Sequence, residues 1–239
     1  MSGIAWIDAR APACAFPDPS RALRHPNGLL AAGGDLGPER LIAAYKRGIF
    51  PWYSAGEPIL WWSPDPRTVF LPGGVHVSRR LARRLRRGEF GVTLDRDFAA
   101  VVRGCAEPRR DHEGTWLTPE MQQAYCRLHA LGVAHSVEVW AGDELAGGLY
   151  GVALGRVFFG ESMFRRRSDA SKVALAVLSR QLRLWNFLVF DCQVGSPHLY
   201  RMGAVDIPRQ RFLELVQRGT LGDRPAPGPW RLDDQAGAS

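Results

Sequence analysis

Cysteine is scarce in this chain: Cys14, Cys105, Cys126 and Cys192 are the four, and no two have C-x-x-C spacing. That argues against a thiolate zinc site and against a dithiol redox pair, and leaves scattered reduced thiols of a cytosolic chain as the expectation. Histidine is also sparse, with six residues and no H-E-x-x-H, so no metal is expected. There is no G-x-x-x-x-G-K-[ST] run, which excludes a P-loop nucleotide site. Gly160-Glu161-Ser162 lacks the second glycine of a nucleophile elbow, so a hydrolase triad is unsupported. Cys192 and His198 do not make a thiol pair, because Cys192 is expected to point away from Asp191. No apolar stretch approaches the roughly 18 residues of a membrane helix. Asp8 and Arg10 interrupt the N-terminus early, so no signal peptide is read and a cytoplasmic protein is expected. Lysine is nearly missing: Lys46 and Lys172 are the only two among 31 basic residues.

What is present is ordinary for a folded protein. The chain has 239 residues, 46% hydrophobic and 23% charged, enough to bury a real core. The net charge of +7 bears on partners more than on fold.

Residues 1–65 are rich in Gly, Pro and Trp and are expected to form a small N-terminal α/β domain. One helix is read there, from about Pro38 to Arg47, stopped by Gly48. The prolines in Phe50 to Ser54 and in Trp61 to Pro66 predict irregular backbone, with a domain boundary near Pro66. Residues 66–220 read as a second domain. Ser78 caps a short helix to Arg87, with Gly88 just past its end. A strand near Phe90–Thr93 and helices at Asp97–Gly104 and Thr118–Leu131 follow. Residues 134–161 read as a three-stranded antiparallel meander, with its last strand from Val157 to Glu161. A helix from Ala170 to Trp185, a strongly apolar strand from Leu188 to Gln193 and a helix from Pro208 to Gln217 complete the pattern. Residues 221–239, rich in Pro, Gly and Asp, are expected to be disordered. Three antiparallel strands, a helix and another strand resemble the core of the GNAT acyltransferase fold. The fold class is therefore α+β: the small N-terminal domain, then a GNAT-like domain with a mixed, mostly antiparallel sheet.

Three features carry chemistry. Six arginines, Arg79, Arg80, Arg83, Arg84, Arg86 and Arg87, cover an arc of about 160° on one short helix. Leu81, Ala82 and Leu85 lie opposite. No Asp or Glu in the helix offsets them, so they repel one another, and a phosphate backbone would relieve that; a solvated charged surface is the alternative. Trp52, Tyr53, Trp61 and Trp62 are loop aromatics that can stack on unpaired bases or fill a small core. Trp116 and Tyr125 form a second such group. Alternation puts Asp191 and Gln193 on one face of an apolar strand, where both need partners. Glu161 ends a strand among Phe158, Phe159, Met163 and Phe164.

These segments together resemble the leucyl/phenylalanyl-tRNA–protein transferases. The resemblance is carried by Gly33-Gly34-Asp35-Leu36, Gly48-Ile49-Phe50-Pro51-Trp52, Trp61-Trp62-Ser63-Pro64-Asp65-Pro66-Arg67, Glu113-Gly114-Thr115-Trp116, His135 to Trp140, Gly147 to Gly151, Gly160 to Phe164, Ala170-Ser171-Lys172 and Asp191 to Val194. Arg165, in place of a serine, and Arg201-Met202-Gly203-Ala204 depart from the family pattern. The resemblance implies transfer of leucine or phenylalanine, less readily methionine, from aminoacyl-tRNA to an N-terminal Arg or Lys. It also implies marking of the acceptor for N-end rule degradation, without ATP or any cofactor. It implies Asp191 and Gln193 as the catalytic pair, with Asp191 orienting or accepting a proton and Gln193 holding the amine or the oxyanion. Glu161 would bind the aminoacyl amino group. Trp52, Trp116 and Tyr125 would meet the tRNA end. Leu149, Phe158, Met163, Leu178 and Phe190 are candidates for the apolar side-chain pocket. A monomer is the default. Two alternatives stay open: a GNAT enzyme using acetyl-CoA, against which the glycine-free loop Arg165 to Asp169 argues, and a non-catalytic RNA-binding protein.

Overall fold

The structure is a computed structural model and describes residues 4–107, 116–221 and 228–233. The N-terminal region holds β1 (Ala5–Ile7), β2 (Leu29–Gly33), α1 (Pro38–Tyr45), β3 (Phe50–Pro51) and β4 (Leu60–Trp62). These strands form a four-stranded sheet in the order β1-β2-β4-β3, parallel only between β1 and β2. Irregular backbone was expected around Trp52 and Trp61, and paired strands are found instead. Pro51 is tolerated because β3 lies at the sheet edge.

The chain continues through β5 (Arg67–Phe70), α2 (Arg79–Arg87), β6 (Gly91–Leu94), α3 (Phe98–Ala106) and α4 (Pro119–Ala130). Then follow β7 (Ala134–Ala141), β8 (Glu144–Leu154), β9 (Val157–Arg165), α5 (Ala170–Leu184) and β10 (Val189–Asp191). It ends in α6 (Pro197–Arg201), β11 (Val205–Ile207) and α7 (Arg209–Thr220). Strands β5 to β11 make a seven-stranded sheet in the order β11-β5-β10-β9-β8-β7-β6. It is antiparallel except where β10 runs parallel to β9. The fold is thus mixed α/β with a mostly antiparallel main sheet, as expected.

Capping sets the helix bounds that the sequence suggested. Ser78 Oγ accepts from Leu81 N at 3.3 Å and Gly88 closes α2 in the left-handed region at φ 60°. Thr118 Oγ1 accepts from Met121 N at 3.3 Å at the start of α4. Alternation along β8 divides the core between the two faces of the sheet. Tyr150 and Val152 pack with α3 and α4, and with residues of the N-terminal region such as Tyr45 and Trp61, in one cluster. Leu149 packs with α5 and Leu81 in the other.

Two strand ends differ from expectation, and both shape the site. The third meander strand runs on past Glu161 to Arg165. The last apolar strand stops at Asp191, and Gln193 adopts a left-handed φ of 56°. Gln193 therefore leaves the strand, and the alternation argument that put it on the face of Asp191 does not apply. The cause is local: Gln193 N donates to Asp191 Oδ1, which curls the chain away from β9, while Cys192 N to Thr68 O and Thr68 N to Gln193 O keep it bonded to β5. The expected disorder after Leu221 is also corrected for 228–233. Trp230 is buried against His135, Phe158 and Trp185, and Trp230 N donates to Asp95 Oδ2 at 2.6 Å. The other tail positions, and Glu113-Gly114-Thr115 of the motifs above, lie outside the described residues.

Candidate active site

A gap opens in the main sheet where two parallel strands part. β10 pairs β9 from Val189 opposite Val157 to Asp191 opposite Phe159. Beyond that, β9 continues beside β8 alone while the other chain turns off at Gln193. Glu161 sits at this parting. The register of β8 and β9 moves from Gly151–Gly160 to Tyr150–Ser162, leaving Glu161 as the extra residue of a bulge. Bulges re-aim side chains and are frequent beside active sites. Gly160 permits the arrangement: a Cβ there would lie 2.4 Å from the Phe190 ring. A lone glycine inside a strand is the sequence signal of such a place.

The bulge turns Glu161 toward α4. Tyr125 Oη donates to Glu161 Oε2 at 2.5 Å, and Tyr45 and Tyr125 share a hydrogen bond of 2.9 Å. Tyr125 has one proton and gives it to Glu161, so Tyr45 is the donor to Tyr125. Gln193 Nε2 donates to Glu161 Oε1 at 3.2 Å. Burial raises the Glu161 carboxyl to about 7; the tyrosine hydrogen bonds oppose this and the negative charge of Asp191 adds to it. Burial and the nearby Glu161 hold Tyr45 and Tyr125 well above the ordinary tyrosine range, so both stay neutral donors. The site thus holds a half-buried carboxylate that exchanges a proton near neutral pH, a common property of catalytic acids and bases.

Asp191 has a different situation. Both its oxygens are taken by Arg67, with Nε to Oδ1 at 2.8 Å and Nη2 to Oδ2 at 2.7 Å, and both side chains have no exposure. Arg67 Nη1 donates to Gly48 O at 3.1 Å, and the guanidinium lies over the rings of Phe50 and Phe212. Asp191 Oδ1 also accepts from Gln193 N at 3.0 Å. The reading of Asp191 as a proton acceptor for substrate is therefore corrected: it is sealed, and it fixes the backbone that carries Gln193. The partner that an acid on an apolar strand requires is Arg67, which sequence reasoning missed along with Tyr45. The signal for Arg67 was a charge directly before the β-branched and aromatic run Thr68-Val69-Phe70.

The remaining candidates divide by exposure. Trp52 is exposed, at 44%, and leans on Trp62 with ring centroids 5.6 Å apart. Trp61 is fully buried, donates from Nε1 to Gly33 O at 2.8 Å and meets Phe16 edge-on, so it is core and offers no stacking face. Trp116 is half-buried against the core. Tyr125 has no exposed surface; its assignment to direct contact with the tRNA end is corrected to positioning Glu161. Leu149, Phe158, Leu178 and Phe190 are buried in one cluster, with Met163 only partly covered. The structure gathers the five, yet as packed core and not as an open pocket.

In the arginine helix, Arg79, Arg80, Arg83, Arg86 and Arg87 are exposed and Arg84 is half-buried. Repulsion is partly relieved from outside the helix. Arg80 and Arg84 reach Asp169 at 3.6 and 3.5 Å, and Arg84 and Arg87 reach Glu89 at 3.3 and 3.9 Å. Arg79, Arg83 and Arg86 have no acidic partner among the described residues. Asp169 begins α5 in the left-handed region and holds Lys172 at 2.9 Å. A carboxylate at that helix start opposes a pyrophosphate there. Among the described residues no helix is long and apolar enough to cross a membrane.

Comparison with family models and with curated relatives gives concordant results. A family model described as leucyl/phenylalanyl-tRNA protein transferase matches residues 69–217, and the model of that family's N-terminal domain matches 34–65. A leucyl/phenylalanyl-tRNA–protein transferase from Alkalilimnicola ehrlichii is 60% identical, over 98% of this chain and 90% of its own length. One from Stutzerimonas stutzeri is 57% identical, over 90% of this chain and 95% of its own length. Among solved structures, a GCN5-related N-acetyltransferase from Kribbella flavida matches at 11% identity and a TM-score of 0.37, over 70% of this chain and 59% of its own.

Proposed function

This chain belongs to the leucyl/phenylalanyl-tRNA–protein transferase family, and from that premise we propose that it forms a peptide bond at the parting of β9 and β10. The aminoacyl group is leucine or phenylalanine, less readily methionine, and the acceptor is a protein with N-terminal Arg or Lys, thereby marked for N-end rule degradation. The enzyme works as a cytoplasmic monomer, with residues 1–65 as an N-terminal domain and 66–220 as the catalytic one. The observation that carries the reading is the Glu161–Gln193 pair at the open strand end.

The acceptor α-amine attacks the ester carbonyl of aminoacyl-tRNA. Its nitrogen forms the new C–N bond, and its proton passes to Glu161. The ester C–O bond then breaks, and the ribose oxygen leaves with a proton returned from Glu161. The ester is already activated, so no ATP is consumed. An α-amine of pKa near 8 is partly neutral at pH 7, so a base of moderate strength suffices and orientation supplies much of the rate. Gln193 Nε2, released from Glu161 when that group takes the proton, donates to the developing oxyanion. Arg67, Asp191, Tyr45 and Tyr125 are positioning residues. Exposed Trp52 stacks on the 3′ adenosine, with Trp116 as a second face. Met163, partly covered, offers surface to the transferred side chain, and Leu149, Phe158, Leu178 and Phe190 support it as packed core.

The test mixes the protein with labelled Phe-tRNA and a peptide bearing N-terminal Arg, without ATP and without acetyl-CoA. Labelled peptide is expected. Tight tRNA binding with no transfer would favour a non-catalytic RNA-binding protein. The arginine helix gives a separate expectation. Replacing Arg79, Arg83 and Arg86 by Ala should weaken tRNA binding and lower the slope of log affinity against log salt by about 2 to 3. An unchanged slope would remove α2 from the tRNA interface.

A further inference from the structure

We infer that the cavity between the arginine helix and α5 is a binding site for a single-chain fatty carboxylate. The cavity has a volume of about 610 Å³, inside the roughly 300–1,000 Å³ of small-molecule sites. It lies on the α5 face of the main sheet, the face that also packs Leu149, Phe158, Leu178 and Phe190, whereas Tyr125 and Glu161 belong to the α4 face. None of the residues assigned to the transfer site lines it except Arg84.

Its walls identify the ligand chemistry. Leu85, Phe90, Val92 and Val177 make an apolar wall with one aromatic ring, and Val77 and Leu184 stand exposed at its mouth. Ser179 is the single hydroxyl, and the wall carries no amide or carboxylate side chain. A nucleoside or sugar has many donors and acceptors that such a wall would leave unpaired, at a cost for each. The favoured occupant is an alkyl body with one polar head. Of the three arginines that line it, Arg84, Arg180 and Arg183, the last sets the sign of that head. Glu89 and Asp169 hold Arg84. Arg183 is exposed at the rim with its stem against Gly73, and it has no acidic partner among the described residues. A guanidinium fork matches a carboxylate in two parallel hydrogen bonds, so Arg183 is the head-group partner and the valines and leucines hold the tail.

The test titrates the whole protein with sodium dodecanoate below its micelle threshold, by calorimetry, with dodecyltrimethylammonium as the same chain of opposite charge. One dodecanoate per chain is expected, with no binding of the cation. Arg183→Glu should weaken binding at least about tenfold, the loss of a charge-assisted hydrogen bond, and Val77→Trp should fill the cavity and abolish it. Both variants should keep wild-type transfer activity, which reports their folding. If Val77→Trp misfolds, Leu184→Trp fills the same space from the opposite wall. No binding by the wild type, equal binding of the cation, or unchanged binding by the filled variants would overturn the assignment. So would sedimentation showing a wild-type dimer that the filled variant breaks, because a second copy would then cover this face.

Discussion

Replacing Arg67 by Met is expected to lower the unfolding free energy by about 3–5 kcal/mol, the usual loss when one partner of a buried ion pair is removed. The reason lies in what Asp191 would then face. It has no exposure and no cation other than Arg67 within its hydrogen bonds, so Arg67→Met leaves an uncompensated charge in the core. Arg67 also ties Gly48 and Phe50 of the N-terminal region to β10 and to Phe212 of α7. The double variant Arg67→Met with Asp191→Leu should recover most of the loss, since apolar replacement of a buried pair is often neutral. Its transfer activity should stay about 100-fold down, because the anchor for Gln193 N is gone and small misplacements at a reacting centre carry costs of that order. Denaturant unfolding and single-turnover transfer on the same two proteins separate stability from positioning. Recovery of both together would show that Asp191 serves the fold alone.

The second large effect is at Glu161. Glu161→Gln keeps the shape and can still accept from Tyr125, but it cannot take a proton from the amine. Transfer at saturating acceptor should fall by about 10²–10⁴, the range for a removed general base, with tRNA affinity unchanged. The substitution also has a stability signature. Burial raises the Glu161 carboxyl from its ordinary 4.5 to about 7, so the folded chain binds this proton more tightly than the unfolded one. Between those values stability therefore falls as pH rises. Glu161→Gln should remove that part of the decline, so the variant gains on the wild type through this window and the difference is level above it. A constant difference across the window would mean that the carboxyl is not held in a desolvated place.

Much of this arrangement is legible in the amino-acid order because it rests on local rules. Ser78 and Gly88 bracket the arginine helix, Thr118 begins α4, and the turns at Gly142 and Gly155 delimit the meander. The paired strands of the N-terminal region are less legible, since β3 and β4 span only Phe50–Pro51 and Leu60–Trp62 and lie among prolines. Their stability comes from burial of Trp61 and Phe50, which is a tertiary matter. The same holds for Trp230, whose ring is held by His135 and Trp185 from distant segments. At the site, Glu161, Asp191 and Gln193 stand out as polar residues in apolar surroundings. Their division of labour does not, because it depends on partners remote in sequence. Arg67 is 124 positions from Asp191 and Tyr125 is 36 from Glu161. A period-two pattern put Gln193 on the strand; a side-chain bond from the residue two before it bends the chain out.

The most direct measurement is the pH dependence of single-turnover transfer from Phe-tRNA to an Arg-terminated peptide, wild type against Glu161→Gln. Two groups must lose a proton in the wild type: the acceptor amine, with a pKa near 8, and Glu161, at about 7. Below pH 7 the logarithm of the rate should therefore climb with a slope approaching two in the wild type. It should climb with a slope of one in the variant, where the amine alone titrates. A slope of one in both proteins would contradict Glu161 as the proton acceptor and with it the assignment of the chemistry to the parting of β9 and β10.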